Sequence, residues 1–100
     1  MIGPPGVRAA PNESRITGTV VAVDKSSVGT RWTVRIDTAE GTDKLPNFAH
    51  RHIGGTVQID VPPNFGKSID RNDRIAATIC YEGDEGGGAL FLVNLDARKL

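Results

Sequence analysis

Five short runs rich in Val, Ile, Thr and Leu, each closed by a cluster of Gly, Pro, Asn or Asp, constrain this chain more than any other feature. Such runs read as strands and such clusters as turns. The second run, Thr30 to Thr38 (TRWTVRIDT), alternates cleanly. Trp32, Val34 and Ile36 point one way, and Arg31, Thr33, Arg35 and Asp37 point the other, as in a half-buried strand with one wet face. The third, Thr56 to Val61, repeats the pattern with Val57, Ile59 and Val61 inward, and Pro62-Pro63 ends it because proline cannot donate to a ladder.

The first run, Arg15 to Val23 (RITGTVVAV), puts Ile16, Gly18, Val20 and Ala22 on one face and Thr17, Thr19, Val21 and Val23 on the other. Its internal Gly18 predicts a bulge or sharp bend of the kind that lets a sheet curl. The fourth, Arg74 to Tyr81, sets Ile75, Ala77, Ile79 and Tyr81 on one face. The last, Ala89 to Leu95 (ALFLVNL), is almost continuously apolar and reads as a strand covered on both sides. Between the third and fourth, Asn64 to Asp73 has room for one helical turn in which Phe65 and Ile69 meet. The expected strands are 15–24, 30–38, 56–62, 74–82 and 89–95.

Twelve Gly and six Pro fall between these runs and argue against long helices. One hundred residues make one domain, able to bury roughly two thirds of its unfolded surface. Met1 to Ser14 is Pro/Gly-rich and has little to bury, so 1–14 is expected to be a flexible tail and 15–100 the folded domain. The one cysteine, Cys80, allows no intramolecular disulfide, and no stretch is long and apolar enough for a signal peptide or a membrane span. A cytoplasmic protein without membrane attachment is the expectation.

Five strands, a long connection from Ala39 to Gly55 and a Gly-rich acidic hairpin at Glu82 to Gly88 order themselves as an all-β, five-stranded Greek-key barrel of the OB type with little or no helix. RITGTVVAV, TRWTVRIDT and the phrase SIDRNDRIAATICYEGDEGGGALFLVNL (Ser68 to Leu95) carry the resemblance. Over about residues 15 to 96 the chain resembles the OB-fold family, in particular domains of the replication protein A type, though SH3-like barrels share much of the pattern. Two departures stand out. Only about ten residues are available for the helix that the family often has between its third and fourth strands. The last hairpin, with Glu82, Asp84 and Glu85, is acidic where the family often grips its ligand.

The resemblance implies binding of single-stranded DNA or RNA across the outer face of the second and third strands. Arg31, Thr33 and Arg35 occupy that face by alternation, projecting in parallel at a spacing suited to the phosphates of an extended strand. The alternative is a solvated face whose arginines pair with Asp37 or Asp60. In the long connection, Phe48 stands beside His50, Arg51 and His52, a combination able to hold a base and its phosphate, or simply to anchor the loop. Lys67, Arg71 and Arg74 extend the basic track, offset by Asp70 and Asp73. Trp32 reads as core, and Phe65 as a plug at one barrel end.

The His50/His52 pair supplies two ligands, which do not make a zinc site. Cys80, between Ile79 and Tyr81, reads as a core-facing and unactivated thiol. No cofactor motif, metal ladder or nucleophile–base order stands out, so a non-enzymatic module is expected, with no cofactor and no metal. Twelve Lys plus Arg against twelve Asp plus Glu leave no net charge. That balance keeps open a second class of function, a protein–protein adaptor or assembly subunit.

Overall fold

The computed structural model describes residues 12–41, 52–84 and 87–100. Strands β1 (Ser14–Ser26), β2 (Gly29–Gly41), β3 (Thr56–Val61), β4 (Arg74–Asp84) and β5 (Gly87–Lys99) fall where the alternation places them, most of them longer than expected. They close into one barrel in the order β1-β2-β3-β5-β4 and back to β1. All neighbours are antiparallel except β3 and β5, which pair in parallel through Ile59–Leu90 and Asp60–Phe91. Closure removes the open sheet edges that a five-stranded sheet would otherwise present. The fold is all-β, and no α-helix occurs among the described residues.

Inward residues from every strand fill the interior: Ile16 and Val20, Trp32, Val34 and Ile36, Ile59 and Val61, Ile75 and Ile79, Leu90 and Leu92. Register shifts curl the sheet around them. Thr17 pairs with Thr38 and Gly18 with Ile36, so Asp37 is an extra residue on β2. Gly18 is obligatory at this corner, because a Cβ there would collide with the Arg35 carbonyl oxygen and sit 2.8 Å from Val34 Cγ1. A second shift makes Val21 the extra residue on β1, between the pairs Val20–Val34 and Ala22–Thr33. This bulge corrects the expected faces of the first strand. Past it the phase inverts: Val23, opposite Trp32, packs against the core, and Ala22 does not. The backbone at the bulge is held from the other side, where Val20 N–H donates to the Asp73 carbonyl (2.9 Å) and Asn72 N–H to the Val20 carbonyl (2.6 Å).

The last strand also differs from the expectation of cover on both sides. Among the described residues of β5 only Leu90, Leu92 and Ala97 are buried, while Phe91 and Val93 are half-buried on the outer face. Between the pairs Ala77–Ala97 and Ile79–Leu92, residues 93–96 bulge out, with Asn94 and Leu95 at φ 54° and 56°. The left-handed region is uncommon for leucine. Thr78 faces this bulge and its hydroxyl donates to Asp96 Oδ2 at 2.5 Å.

Residues 62–73 form turns and not the expected helical turn. The plug nevertheless forms. Phe65 meets Trp32 edge-on, ring centroids 5.3 Å apart at 82°, and Ile69 is buried beside them. Of the tail expected over 1–14, residues 1–11 lie outside the described residues. Asn12 is held by a pair of hydrogen bonds, accepting from Tyr81 N–H at 2.7 Å and donating to its carbonyl at 2.9 Å, and Ser14 is buried.

Candidate nucleic-acid interface

β2 carries Arg31, Thr33 and Arg35 on the barrel's outer face, opposite Asp60, Gln58 and Thr56 of β3. Arg31 and Arg35 are four residues apart, so strand rise separates them by about 13 Å. They therefore suit phosphates two apart along an extended strand, and not adjacent ones. Both have acidic neighbours. Arg31 Nε lies 2.8 Å from Asp60 Oδ1, and Arg35 Nε lies 3.9 Å from Asp37 Oδ1. The short Nε bond uses one of five guanidinium donors and leaves the Nη groups to other acceptors.

A groove of about 820 Å³ opens beside Arg31. One wall is the β1–β2 hairpin, whose tip residue Val28 is 85% exposed; the other wall includes Glu82. Ser26 shapes the tip, its hydroxyl accepting from Val28 N–H and donating to the Gly29 carbonyl. Along the groove lie Gln58 and Asp60, the end of β3 with Pro62-Pro63, and Phe91. Register aligns Asp24, Arg31, Asp60, Phe91 and Cys80 in one row across all five strands. Among the described residues, the charged ones lining the groove are Asp24, Asp60 and Glu82 against Lys25 and Arg31.

Gln58 also borders a second recess of about 410 Å³, lined by His52, Val57, Tyr81 and Leu90. His52 thus reaches the neighbourhood of the groove. Phe48, His50 and Arg51 lie outside the described residues. The remaining basic candidates disperse. Lys67 donates to the Ala97 carbonyl at 3.0 Å, and Arg71 is exposed in the turn that leads into β4. Arg74 pairs in register with Thr19 on the β1–β4 face, and Thr19 also pairs with Arg35. Register therefore sets Arg74 and Arg35 on either side of Thr19.

Cys80 corrects another expectation. It is half-buried on the outer face, opposite Phe91, and does not point into the core. Burial pushes its thiol pKa up, and Glu82 and Glu13 push it further, so the thiol is unactivated. Gly88 is tightly enclosed, since a Cβ there would sit 2.7 Å from the backbone carbonyl oxygen of Glu82 and strike the phenol end of Tyr81.

Sequence reasoning missed Phe91 and Gln58 as groove residues. Phase would have found Phe91: with Leu90 and Leu92 inward, the residue between them must face out. The unbroken apolar run concealed that. Among the described residues no cluster of three or more His, Cys, Asp or Glu is arranged to hold a metal ion. The chain matches no family model, no curated protein and no solved structure.

Proposed function

We propose that this barrel binds single-stranded nucleic acid in the groove between its two hairpins, with little sequence preference. The observation that carries the reading is the meeting of Arg31, Gln58 and Phe91 along one open groove of about 820 Å³ on the outer face. OB-type barrels take oligonucleotides across that face. A base stacks on the exposed part of the Phe91 ring, since every base has a π-face. The Nη groups of Arg31 meet a phosphate. Asp60 holds the guanidinium through Nε without blocking it, because an exposed pair of this kind is worth only about 0–1 kcal/mol. The Gln58 amide donates to and accepts from base edges.

A second reading has its own support. Among the described residues, three acids against two bases around an apolar floor of Val61, Pro62 and Leu92 suit an extended, basic segment of a partner protein. Titration of the protein with fluorescently labelled oligo-dT and oligo-U at low salt decides between them. Saturable binding that weakens as salt rises supports the single-strand reading. No affinity for either oligonucleotide at low salt sinks it and leaves the protein partner.

A further inference from the structure

The β1–β4–β5 face carries arginines that the groove does not use. Arg74 pairs in register with Thr19, which pairs on its other side with Arg35. One step along the same strands, Thr38, Thr17, Ala76 and Arg98 form the next row. Neighbouring strands lie about 4.8 Å apart and successive outward residues about 6.8 Å apart. The Cα atoms of Arg35 and Arg74 are therefore about 10 Å apart, and those of Arg74 and Arg98 about 8 Å. The floor between them consists of small side chains, Thr17, Thr19 and Ala76, which leave the long guanidinium arms room above the sheet.

Two observations favour an anion there. First, neither Arg74 nor Arg98 forms an ion pair among the described residues, and both are exposed. Second, the hydroxyls of Thr17 and Thr38 lie 2.6 Å apart. One donates to the other, so the accepting hydroxyl keeps its own hydrogen for an outside acceptor. A shallow depression of about 220 Å³ lies over this hydroxyl pair and reaches Arg98. Acids stand at this zone as well. Asp96 and Glu40 line the depression with Arg15 and Arg98, Asp96 accepting from Thr78 and Glu40 standing across from Arg15 in register, while Asp37 sits 3.9 Å from Arg35 and Asp73, next to Arg74, 3.5 Å from Lys99.

From this placement we infer that Arg35, Arg74 and Arg98, with the Thr17–Thr38 hydroxyl pair, form a second contact zone that takes backbone phosphates of a strand leaving the groove. The inference rests on the single-strand reading and extends its footprint. Arg35 is the joint, since it shares β2 with Arg31 and flanks Thr19 with Arg74. It also resolves the charge of the groove: the bases enter beside Phe91, where acids are tolerated, and the phosphates run on the arginine side. A phosphoryl group fits because guanidinium forks and a hydroxyl donor match its oxygens.

The test is amide NMR of the full chain with oligo-dT of about four and about twelve nucleotides, the range of site sizes for one such barrel. Both oligonucleotides should shift Gln58 and Phe91, and only the longer should also shift Thr17, Thr38 and Ala76. The double variant Arg74→Ala/Arg98→Ala should bind the short oligonucleotide like wild type and the long one about tenfold more weakly, with a shallower salt dependence. Thr17→Val should give a smaller loss on the long one alone. Unchanged Trp32 fluorescence shows that the variants fold. Groove shifts without patch shifts, or a double variant that keeps wild-type affinity for the long oligonucleotide, overturn the inference while the groove stands. If neither oligonucleotide binds, the proposed function fails and this inference with it. A patch response to inorganic phosphate alone then counts as an adventitious anion.

Discussion

Asp60 Oδ1 accepts from Arg31 Nε at 2.8 Å across the β2–β3 ladder, with the two side chains 32% and 53% exposed. At that exposure the pair is screened by solvent and adds about 0–1 kcal/mol to stability. It holds the guanidinium beside Asp60 at the groove. Asp60→Asn should leave the urea midpoint nearly unchanged. On the single-strand reading it removes an acid from the phosphate path, so oligo-dT should bind several-fold more tightly at low salt. Weaker binding of Asp60→Asn would show that orientation of Arg31 outweighs the charge.

Arg31→Ala/Arg35→Ala should weaken binding to any oligonucleotide sequence and flatten the salt slope, because each lost phosphate contact releases less counterion. Phe91→Ala should lower affinity by about 1–3 kcal/mol through lost stacking, with little change in salt slope. Anisotropy titrations over a salt series separate the two effects. Identical salt slopes for wild type and the double-arginine variant would remove the arginines from the interface.

Gly18→Ala should destabilise the barrel by about 2–3 kcal/mol. Its methyl group meets a backbone carbonyl, that of Arg35, and a buried valine, and backbone yields less readily than a flexible side chain. Urea denaturation gives the difference. A loss below about 0.5 kcal/mol would mean that the corner at β1–β2 relaxes without strain.

Phe65→Ala should cost about 2 kcal/mol. The ring is only partly buried, so the loss falls below that of a full core aromatic. Because Trp32 is the only tryptophan, its emission should shift to the red as water reaches the uncovered ring. A stable variant with unchanged emission would show that the connection between β3 and β4 does not close this end.

Burial raises the Cys80 pKa first, and the carboxylates of Glu82 and Glu13 add to it. The folded state thus holds the thiol proton more tightly than the unfolded chain. The stabilisation from this group is present in full below the unfolded thiol value of about 8.5 and is lost as pH rises through the higher folded value. Cys80→Ser should therefore flatten the decline in stability over that alkaline range. At neutral pH the thiol should react with iodoacetamide more slowly than in the urea-unfolded chain. Faster reaction in the folded state would contradict the raised pKa.

The local pattern of residue types determined much of this protein. Alternation in TRWTVRIDT and TVQIDV, with proline and glycine between the runs, specifies strands, turns and the inward set Trp32, Val34, Ile36, Ile59 and Val61. Other features depended on how those strands were brought together. Period-two alternation says which residues share a face within one uninterrupted strand, and it carries no information past a bulge. Register comes from packing against neighbours. The extra residue at Val21 therefore reversed Val23 and Ala22, and an all-apolar run hid the outward turn of Phe91. Charge pairing followed the same rule. Arg31 and Asp60 are 29 positions apart and meet because β2 and β3 pair in that register, while Arg35 and Arg74 become neighbours because both flank Thr19. Which cations are engaged and which remain available is decided across strands, where Coulomb attraction acts over a few ångströms of space and sequence separation has no bearing.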